Sequence, residues 1–207
     1  WYEAVHPVMG WSPVEAAARG EQLHTALAER PRLGDLASRP LLLTLMATLH
    51  TSWGQLPEDR ADLYEESVKL LLARWQRART VHTAEGEAKQ PGITVKLGAE
   101  LHPLRAALEH LAYEAHVRQG EASGRDDVPA HIPENEVLAV LSKHLPDDVN
   151  ARHAMPYLKH RAGLLLERRP GVYAFPHRSF QEYLAACYLA ETKRDFGAAL
   201  RDRVWED

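Results

Sequence analysis

The change of pattern between residues 164 and 190 restricts the fold of this chain more than any other feature. Residues 164–176 have the pattern of two short strands around a turn at Arg169, Pro170 and Gly171, where proline and glycine favour chain reversal. From about Ser179, apolar residues instead recur at helical spacing and share one face: Phe180, Leu184, Cys187 and Tyr188. The stretch therefore predicts a short β-hairpin that passes straight into an amphipathic helix.

Helices are predicted over most of the N-terminal part. Ser12, followed by Pro13, has the features of a helix N-cap. Pro40 suits the first turn of a helix that is apolar on nearly every side from Leu41 to Leu49. Between Pro57 and Arg79, apolar residues at helical spacing form a stripe typical of an amphipathic helix. We therefore expect a helical bundle in this part of the chain.

Further helices precede the hairpin. Residues 97–119 place leucines on one helical face, a polar loop follows at 120–133, and a helix runs from Pro133 to about His144. Asp147 or Asp148 is expected to cap one more helix before the hairpin. Helix, helix and hairpin in this order are typical of a winged-helix unit.

The fold class expected from these patterns is mainly α, a helical bundle followed by a winged-helix unit with one short β-hairpin at about 164–176. Residues 1–79 are interpreted as a helical segment, and the polar residues 80–96 as a linker. Residues 97–194 are interpreted as the helical and winged-helix domain, and residues 195–207 as the start of a further helical segment. The chain also starts without methionine and ends without a helix-ending signal, so we expect it to be part of a longer protein.

Composition excludes several classes of protein. In the 207 residues, 45% are hydrophobic, 26% are charged and the net charge is −4, so no overall basic surface attracts nucleic acid or membrane. The longest apolar run, Leu41 to Leu49, is shorter than the ~18 residues that span a bilayer. A single cysteine, Cys187 on the expected buried face of its helix, excludes an internal disulfide and fits a cytoplasmic protein.

Residues for catalysis are missing from the sequence. It contains no glycine-rich phosphate-binding loop and no acidic run after a strand that would hold magnesium. Ser179 lies near His177, but without a nucleophile elbow, and Ser179 is interpreted as an N-cap. We therefore assign no catalytic residue and expect this chain by itself not to be an enzyme.

The sequence contains twelve histidines, a residue type that commonly binds metals. Of the twelve, His102, His110 and His116 share one predicted helix without the i, i+4 spacing of a zinc motif. His153 and His160 are seven apart and could share a face, yet no third ligand is obvious. We expect no metal site.

His177 and Pro40 are the two candidate binding residues. His177 stands where a strand passes into a helix, and an imidazole at a helix start can serve as a structural hydrogen-bonding group or help to bind an anion. From the residues alone, the structural role is the commoner one. Pro40 needs no role beyond starting its helix.

Two stretches resemble one protein family. Residues 175–186, FPHRSFQEYLAA, resemble the end of the winged-helix segment of NACHT-type STAND NTPases, the nucleotide-switched signalling proteins that include NOD-like receptors and many bacterial relatives. Residues 39–45 (RPLLLTL) and 56–68 (LPEDRADLYEESV) resemble the helical lid that follows the ATPase core in the same family. The two matches occur in the family's order.

The resemblance implies a function. In the family, the histidine at the position of His177 contacts the β-phosphate of ADP, and the proline at the position of Pro40 packs against the adenine. The chain would then be the regulatory lid and winged helix of a signalling ATPase, which controls closed-to-open switching and oligomerisation. The implied cofactors are ADP and ATP, with Mg²⁺ only in the full-length protein, and none bound tightly to this chain alone.

The resemblance also implies the partners. These are an upstream nucleotide-binding core in the same chain, further copies in the activated state, and a flanking effector or sensor domain; no membrane is expected, and the mild acidity disfavours nucleic acid. Two alternatives stay open: a passive helical interaction module and a DNA-binding winged-helix regulator. The DNA-binding alternative would use a basic face made of Arg152, Lys159, His160, Arg161, Arg168 and Arg169.

Overall fold

The computed structural model describes residues 1–76, 79–83, 86–90, 101–121, 130–147, 149–155 and 164–192. Its helices are α1 (Tyr2–Met9), α2 (Pro13–Ala28), α3 (Pro31–Ala37), α4 (Pro40–Trp53), α5 (Arg60–Gln76), α6 (Leu101–Glu121), α7 (Glu134–His144) and α8 (Arg178–Thr192). Its strands are β1 (Arg79–Thr83), β2 (Gly86–Gln90), β3 (Ile132–Pro133), β4 (Leu166–Arg169) and β5 (Val172–Ala174). A short helical segment also spans 151–155. The predicted fold class, mainly α with a winged-helix hairpin, is confirmed.

The chain divides into two compact units, 1–70 and 71–207, and the division falls within α5. The sequence-based division, with a helical segment to residue 79 and a linker at 80–96, stays a prediction. None of the described helices is both long enough and apolar enough to cross a membrane.

The first unit is built around α4. Leu42, Met46 and Leu49 of this helix are fully buried, together with Leu33 of α3 and Leu63 of α5. These burials confirm that α4 lies inside the unit rather than on its surface. Two short helices, α1 and α3, were not predicted because both are under nine residues long and a proline lies in or at the start of each.

Local signals set most helix ends in this unit. The Ser12 side chain accepts a bond from the Glu15 amide while the Glu15 carboxylate accepts one from the Ser12 amide, which is a capping box and confirms the predicted start of α2. Pro40 occupies the first turn of α4, and Gly54 ends that helix at φ 75°. The next helix, α5, begins three residues later than predicted, at Arg60, because Asp59 accepts a hydrogen bond from the Asp62 amide.

The second unit has the order of a winged helix: α6, β3, α7, the segment 151–155, the hairpin β4–β5, and α8. The three strands form an antiparallel sheet in the order β3-β5-β4. At the turn of the hairpin, Pro170 precedes Gly171, whose φ of 72° suits only glycine well. The Glu134 amide at the start of α7 donates to the Gly171 carbonyl at 2.9 Å, which fixes the turn against that helix.

The core of this unit lies between the hairpin and the helices. Tyr173 and Phe175, at the end of the hairpin, and Phe180, in the first turn of α8, are fully buried. Leu104 and Leu108 of α6 are buried to the same degree. The amphipathic pattern that predicted α8 therefore reflects the packing of its apolar face within the unit.

Several details differ from the sequence-based expectation. Residues predicted as a polar loop at 80–96 contain strand β2 and most of β1, which pair as a second hairpin, and the loop predicted at 120–133 ends in β3. The segment 151–155 is capped by Asn150, which accepts from the Arg152 amide, and so starts later than a helix capped at the predicted position 147 or 148. The strands β1, β2 and β3 are too short or too polar to leave a periodic signal in the sequence. The segment predicted at 195–207 lies outside the described residues.

Candidate functional site

His177 lies at the junction between the hairpin and α8. It follows Phe175 and Pro176, and the next residue, Arg178, is the first of the helix. The His177 carbonyl accepts the first helical hydrogen bonds, from the amides of Phe180 at 3.1 Å and Gln181 at 3.4 Å. His177 is therefore the N-cap residue of α8, and the assignment of that place to Ser179 is wrong.

The imidazole of His177 also caps the helix. Its Nδ1 accepts a hydrogen bond from the Ser179 amide at 3.1 Å and lies 2.8 Å from the Ser179 hydroxyl. An amide can only donate, so Nδ1 must be an acceptor and the proton of the neutral ring is carried by Nε2. The cap thus sets both the orientation and the tautomer of His177.

Gln181 fixes the first turn of α8 from the other side. Its side chain is fully buried; Oε1 accepts from the Ala130 amide at 2.8 Å, and Nε2 donates to Oε1 of Gln119 at 3.1 Å. Gln181 is therefore a structural hydrogen-bonding residue that ties the first turn of α8 to Ala130 and Gln119. An ion pair from Arg178 to Glu182 at 2.9 Å adds i, i+4 support on the outer face.

Pro40 lies in the other unit. It is the exposed first residue of α4, and its carbonyl accepts a hydrogen bond from the Thr44 hydroxyl at 2.9 Å. The first-turn position predicted for Pro40 is confirmed. Binding of nucleotide by Pro40 and His177 stays a prediction.

A family model matches residues 60–189, and its description is a winged helix-turn-helix domain C-terminal to NACHT. The chain belongs to this family. A search of curated proteins and a search of solved structures returned no match.

The family match covers the winged-helix unit and α5. It begins at the first residue of α5 and ends within the last turn of α8, so that His177 lies inside it and Pro40 outside. The match supports a NACHT-related regulatory part, and a winged-helix domain in this position is not itself a catalytic domain.

A pair of histidines that the sequence did not single out joins two helices of the winged-helix unit. Nδ1 of His110, on α6, lies 3.0 Å from Nε2 of His144, at the end of α7. Nε2 of His110 lies 3.1 Å from the Glu114 carboxylate, and the ring stacks at 4.8 Å on Tyr188 of α8. Burial is the main cause that lowers the pKa of His144, and electrostatic interactions with His110 and Lys143 lower it further.

This cluster does not have the arrangement of a metal site. The two nitrogens of His110 face different partners, so one ring cannot direct both toward a single ion. Throughout the described part of the chain, no group of three or more histidine, cysteine, aspartate or glutamate residues could hold a metal. Sequence spacing missed the pair because its members are 34 residues apart.

The described residues include part of the expected basic face, and Cys187. Arg152 lies in the segment 151–155 and Arg168 and Arg169 on β4, all three exposed, whereas Lys159, His160 and Arg161 of the expected basic face lie outside the described residues. Cys187, on α8, forms no disulfide and is only half-buried, so it belongs to the core face less completely than predicted.

Proposed function

We propose that this chain is the regulatory lid and winged helix of a NACHT ATPase, in which His177 contacts the phosphates of ADP and Pro40 packs against the base. In this proposal, ADP holds the lid and the winged helix on the upstream nucleotide-binding core in the same chain. Exchange for ATP releases them, and the opened protein self-associates to activate a flanking effector. The proposal rests on family membership and on the setting of His177.

The observation that carries the proposal is the hydrogen bond from the Ser179 amide to Nδ1 of His177. It puts the proton of the neutral ring on Nε2, so the imidazole is held as an N–H donor of fixed direction at the N-terminus of α8. A helix N-terminus favours negative charge, and an N–H donor beside it suits a phosphate oxygen. The residue types and geometry therefore fit an anion contact.

Pro40 would supply the second contact from the lid. A first-turn proline exposes an apolar ring without a backbone donor, which suits packing against the face of a base. Pro40 and His177 belong to different compact units, 1–70 and 71–207. Loss of both contacts on exchange of ADP for ATP is the proposed basis of switching.

The test uses the longer protein in which this chain follows its NACHT core. His177→Asn keeps a side chain that caps helices well but removes the imidazole, whereas Ser179→Ala keeps the imidazole. We expect His177→Asn to weaken ADP binding by ~1–3 kcal/mol, the scale of a charge-assisted hydrogen bond, and to raise basal self-association. Ser179→Ala should change ADP affinity much less.

Calorimetric titration of ADP and light scattering would measure the two effects. Wild-type ADP affinity together with wild-type basal self-association in His177→Asn would refute the contact. The 207-residue chain by itself is expected to hydrolyse no ATP and to bind ADP only feebly, because the core that would hold the rest of the nucleotide is not part of it.

A further inference from the structure

The histidine pair of the winged-helix unit has a pattern of donor and acceptor that its surroundings determine. Nε2 of His110 lies 3.1 Å from the Glu114 carboxylate, which favours the proton of the neutral ring on Nε2 and leaves the lone pair on Nδ1. Nε2 of His144, 3.0 Å from that Nδ1, must then donate to it. The two neutral rings therefore share one N–H···N hydrogen bond, and we call this contact the histidine latch.

The histidine latch accepts one added proton but not two. A proton on Nδ1 of His110 makes that ring a cation beside Glu114, and the ring can still donate to Nε2 of His144 once His144 has changed its tautomer. After a second proton, N–H groups on two positively charged rings face each other across 3.0 Å. No hydrogen bond is then possible and the like charges repel, so the contact is lost only when both rings are charged.

The histidine latch joins the C-terminal end of α7 to the helices α6 and α8. His110 belongs to α6, and its ring stacks at 4.8 Å on Tyr188 of α8, which stacks in turn at 5.0 Å on Tyr113 of α6. His144 is the last residue of α7, and within the described ranges the one hydrogen bond of its side chain is to His110. Loss of the contact therefore frees the end of α7, whereas the aromatic stack still holds His110.

The opposite end of α7 is attached independently. The Glu134 amide donates to the Gly171 carbonyl of the hairpin turn at 2.9 Å, and Glu136 is paired with Arg118 of α6. Neither contact contains a side chain of a type that changes charge near neutral pH. The helix thus has one end whose attachment changes with mild acid and one end whose attachment does not.

The structure also indicates the direction of the pH dependence. The pKa of His144 is lowered from 6.5, mainly by burial and further by the charges of His110 and Lys143. The ring of His144 is therefore neutral at neutral pH and gains its proton only below the ordinary range of a histidine. The groups that face the pair are Glu114 on α6, Lys143 on α7 and Tyr188 on α8.

We propose that the histidine latch is a pH-sensitive switch, which holds the C-terminal end of α7 against α6 and α8 at neutral pH and releases it in mild acid. The released part is the last turn of α7, where the Leu145 amide donates to the Leu141 carbonyl at 2.9 Å. The rest of the unit stays folded, because the attachments at the start of α7 remain. The switch does not depend on the nucleotide contacts proposed for His177 and Pro40.

The first test detects the hydrogen bond itself, by NMR of the whole 207-residue chain labelled with ¹⁵N in its histidine rings. At about pH 7.5, a coupling through the hydrogen bond should connect Nε2 of His144 with Nδ1 of His110. At about pH 5.5 this coupling should be lost, because both rings are then charged. Absence of the coupling at the higher pH, or its persistence when both rings are charged, would overturn the proposal.

The second test measures the release by amide hydrogen exchange, corrected for the pH dependence of the chemical step. The Leu145 amide should exchange about tenfold faster at about pH 5.5 than at about pH 7.5, the factor that one pH unit of linkage supplies. The Glu134 amide, at the other end of α7, is the internal control and should show less than about a twofold difference.

A matched pair of variants assigns the effect to the histidine latch. His144→Gln keeps a side-chain N–H donor that does not titrate, so the difference at Leu145 should fall below about twofold. His131→Gln removes an exposed histidine of the same unit and should keep the wild-type difference. Equal acceleration at Leu145 and Glu134 would show that the whole unit opens, and a full difference in His144→Gln would show that another group titrates; either result would overturn the switch.

Discussion

The imidazoles of His110 and His144 face each other across the winged-helix unit, with Nδ1 of the first 3.0 Å from Nε2 of the second. One of these nitrogens must donate and the other accept, so the contact fails when both rings are protonated. The groups that face the pair are Glu114 on the same helix, Lys143 beside His144, and Tyr188 of α8. The stability of this unit should therefore depend on pH.

The first prediction concerns that dependence. The pKa of His144 is lowered from 6.5, mainly by burial, so the unfolded chain binds its proton more readily than the folded one. The stabilisation that His144 contributes is fully present at pH values above its pKa in the unfolded chain. It is lost as the pH falls through its pKa in the folded chain. Urea unfolding at about pH 7.5 and about pH 5.5 should show a smaller difference in His144→Gln than in the wild type.

The control for this experiment is His131→Gln, which removes an exposed histidine from the same unit. It should keep the wild-type difference between the two pH values. Some pH dependence should also remain in His144→Gln, because burial lowers the pKa of His50 in the first unit. A full wild-type difference in His144→Gln would contradict the role given to the pair.

The second prediction concerns Gln181. Gln181→Ala removes, from a fully buried position, the hydrogen bonds to the Ala130 amide and to the Gln119 side chain. We expect a loss of ~1–3 kcal/mol in the free energy of unfolding, measured by urea titration. Gln22→Ala, at an exposed position of α2, should change it by less than ~0.5 kcal/mol. Equal effects of the two substitutions would show that the buried hydrogen bonds contribute little.

The third prediction compares two glycines. A Cβ at Gly171 or at Gly120 would meet no atom within 4 Å, so neither substitution creates a clash. Gly171 has a φ of 72°, and Gly171→Ala should destabilise the chain by ~1–2 kcal/mol through backbone strain alone. Gly120→Ala, in α6, should be neutral or stabilise it by up to ~1 kcal/mol. Thermal unfolding of both variants measures the contrast, and a stabilising Gly171→Ala would contradict the turn geometry.

The fourth prediction separates the capping role of His177 from any binding role. Because Nδ1 accepts from the Ser179 amide, His177→Ala should cost ~0.5–2 kcal/mol of stability in the 207-residue chain without nucleotide. His177→Asn should recover most of this, since asparagine is among the best N-cap residues. If both variants unfold at the wild-type urea concentration, the imidazole does not stabilise the helix start.

The candidate site was predictable in part. His177 was found because a strand pattern, a proline and a helical stripe meet at one place in the sequence, and its junction position follows from local rules. The sequence assigned the N-cap to Ser179, however, because serine is the commoner capping residue. The position at which α8 begins after the hairpin decides which of the two residues is the N-cap. The packing of Phe175 and Phe180 sets that position.

The sequence by itself determined the features that depend on a few neighbouring residues. These are the capping box of Ser12 and Glu15, the first-turn position of Pro40, the turn at Gly171 and the apolar face of α8. Capping, turn geometry and helical periodicity act over one or two turns of chain, so the residues concerned are visible side by side.

Only the tertiary structure decided the contacts between distant residues. His110 meets His144, Gln181 meets Gln119, and Tyr2 meets His50, over separations of 34, 62 and 48 residues. The strand β3 likewise exists because Ile132 pairs with Tyr173. No local rule places these partners together; their meeting depends on how helices with similar apolar faces pack, which periodicity alone does not specify.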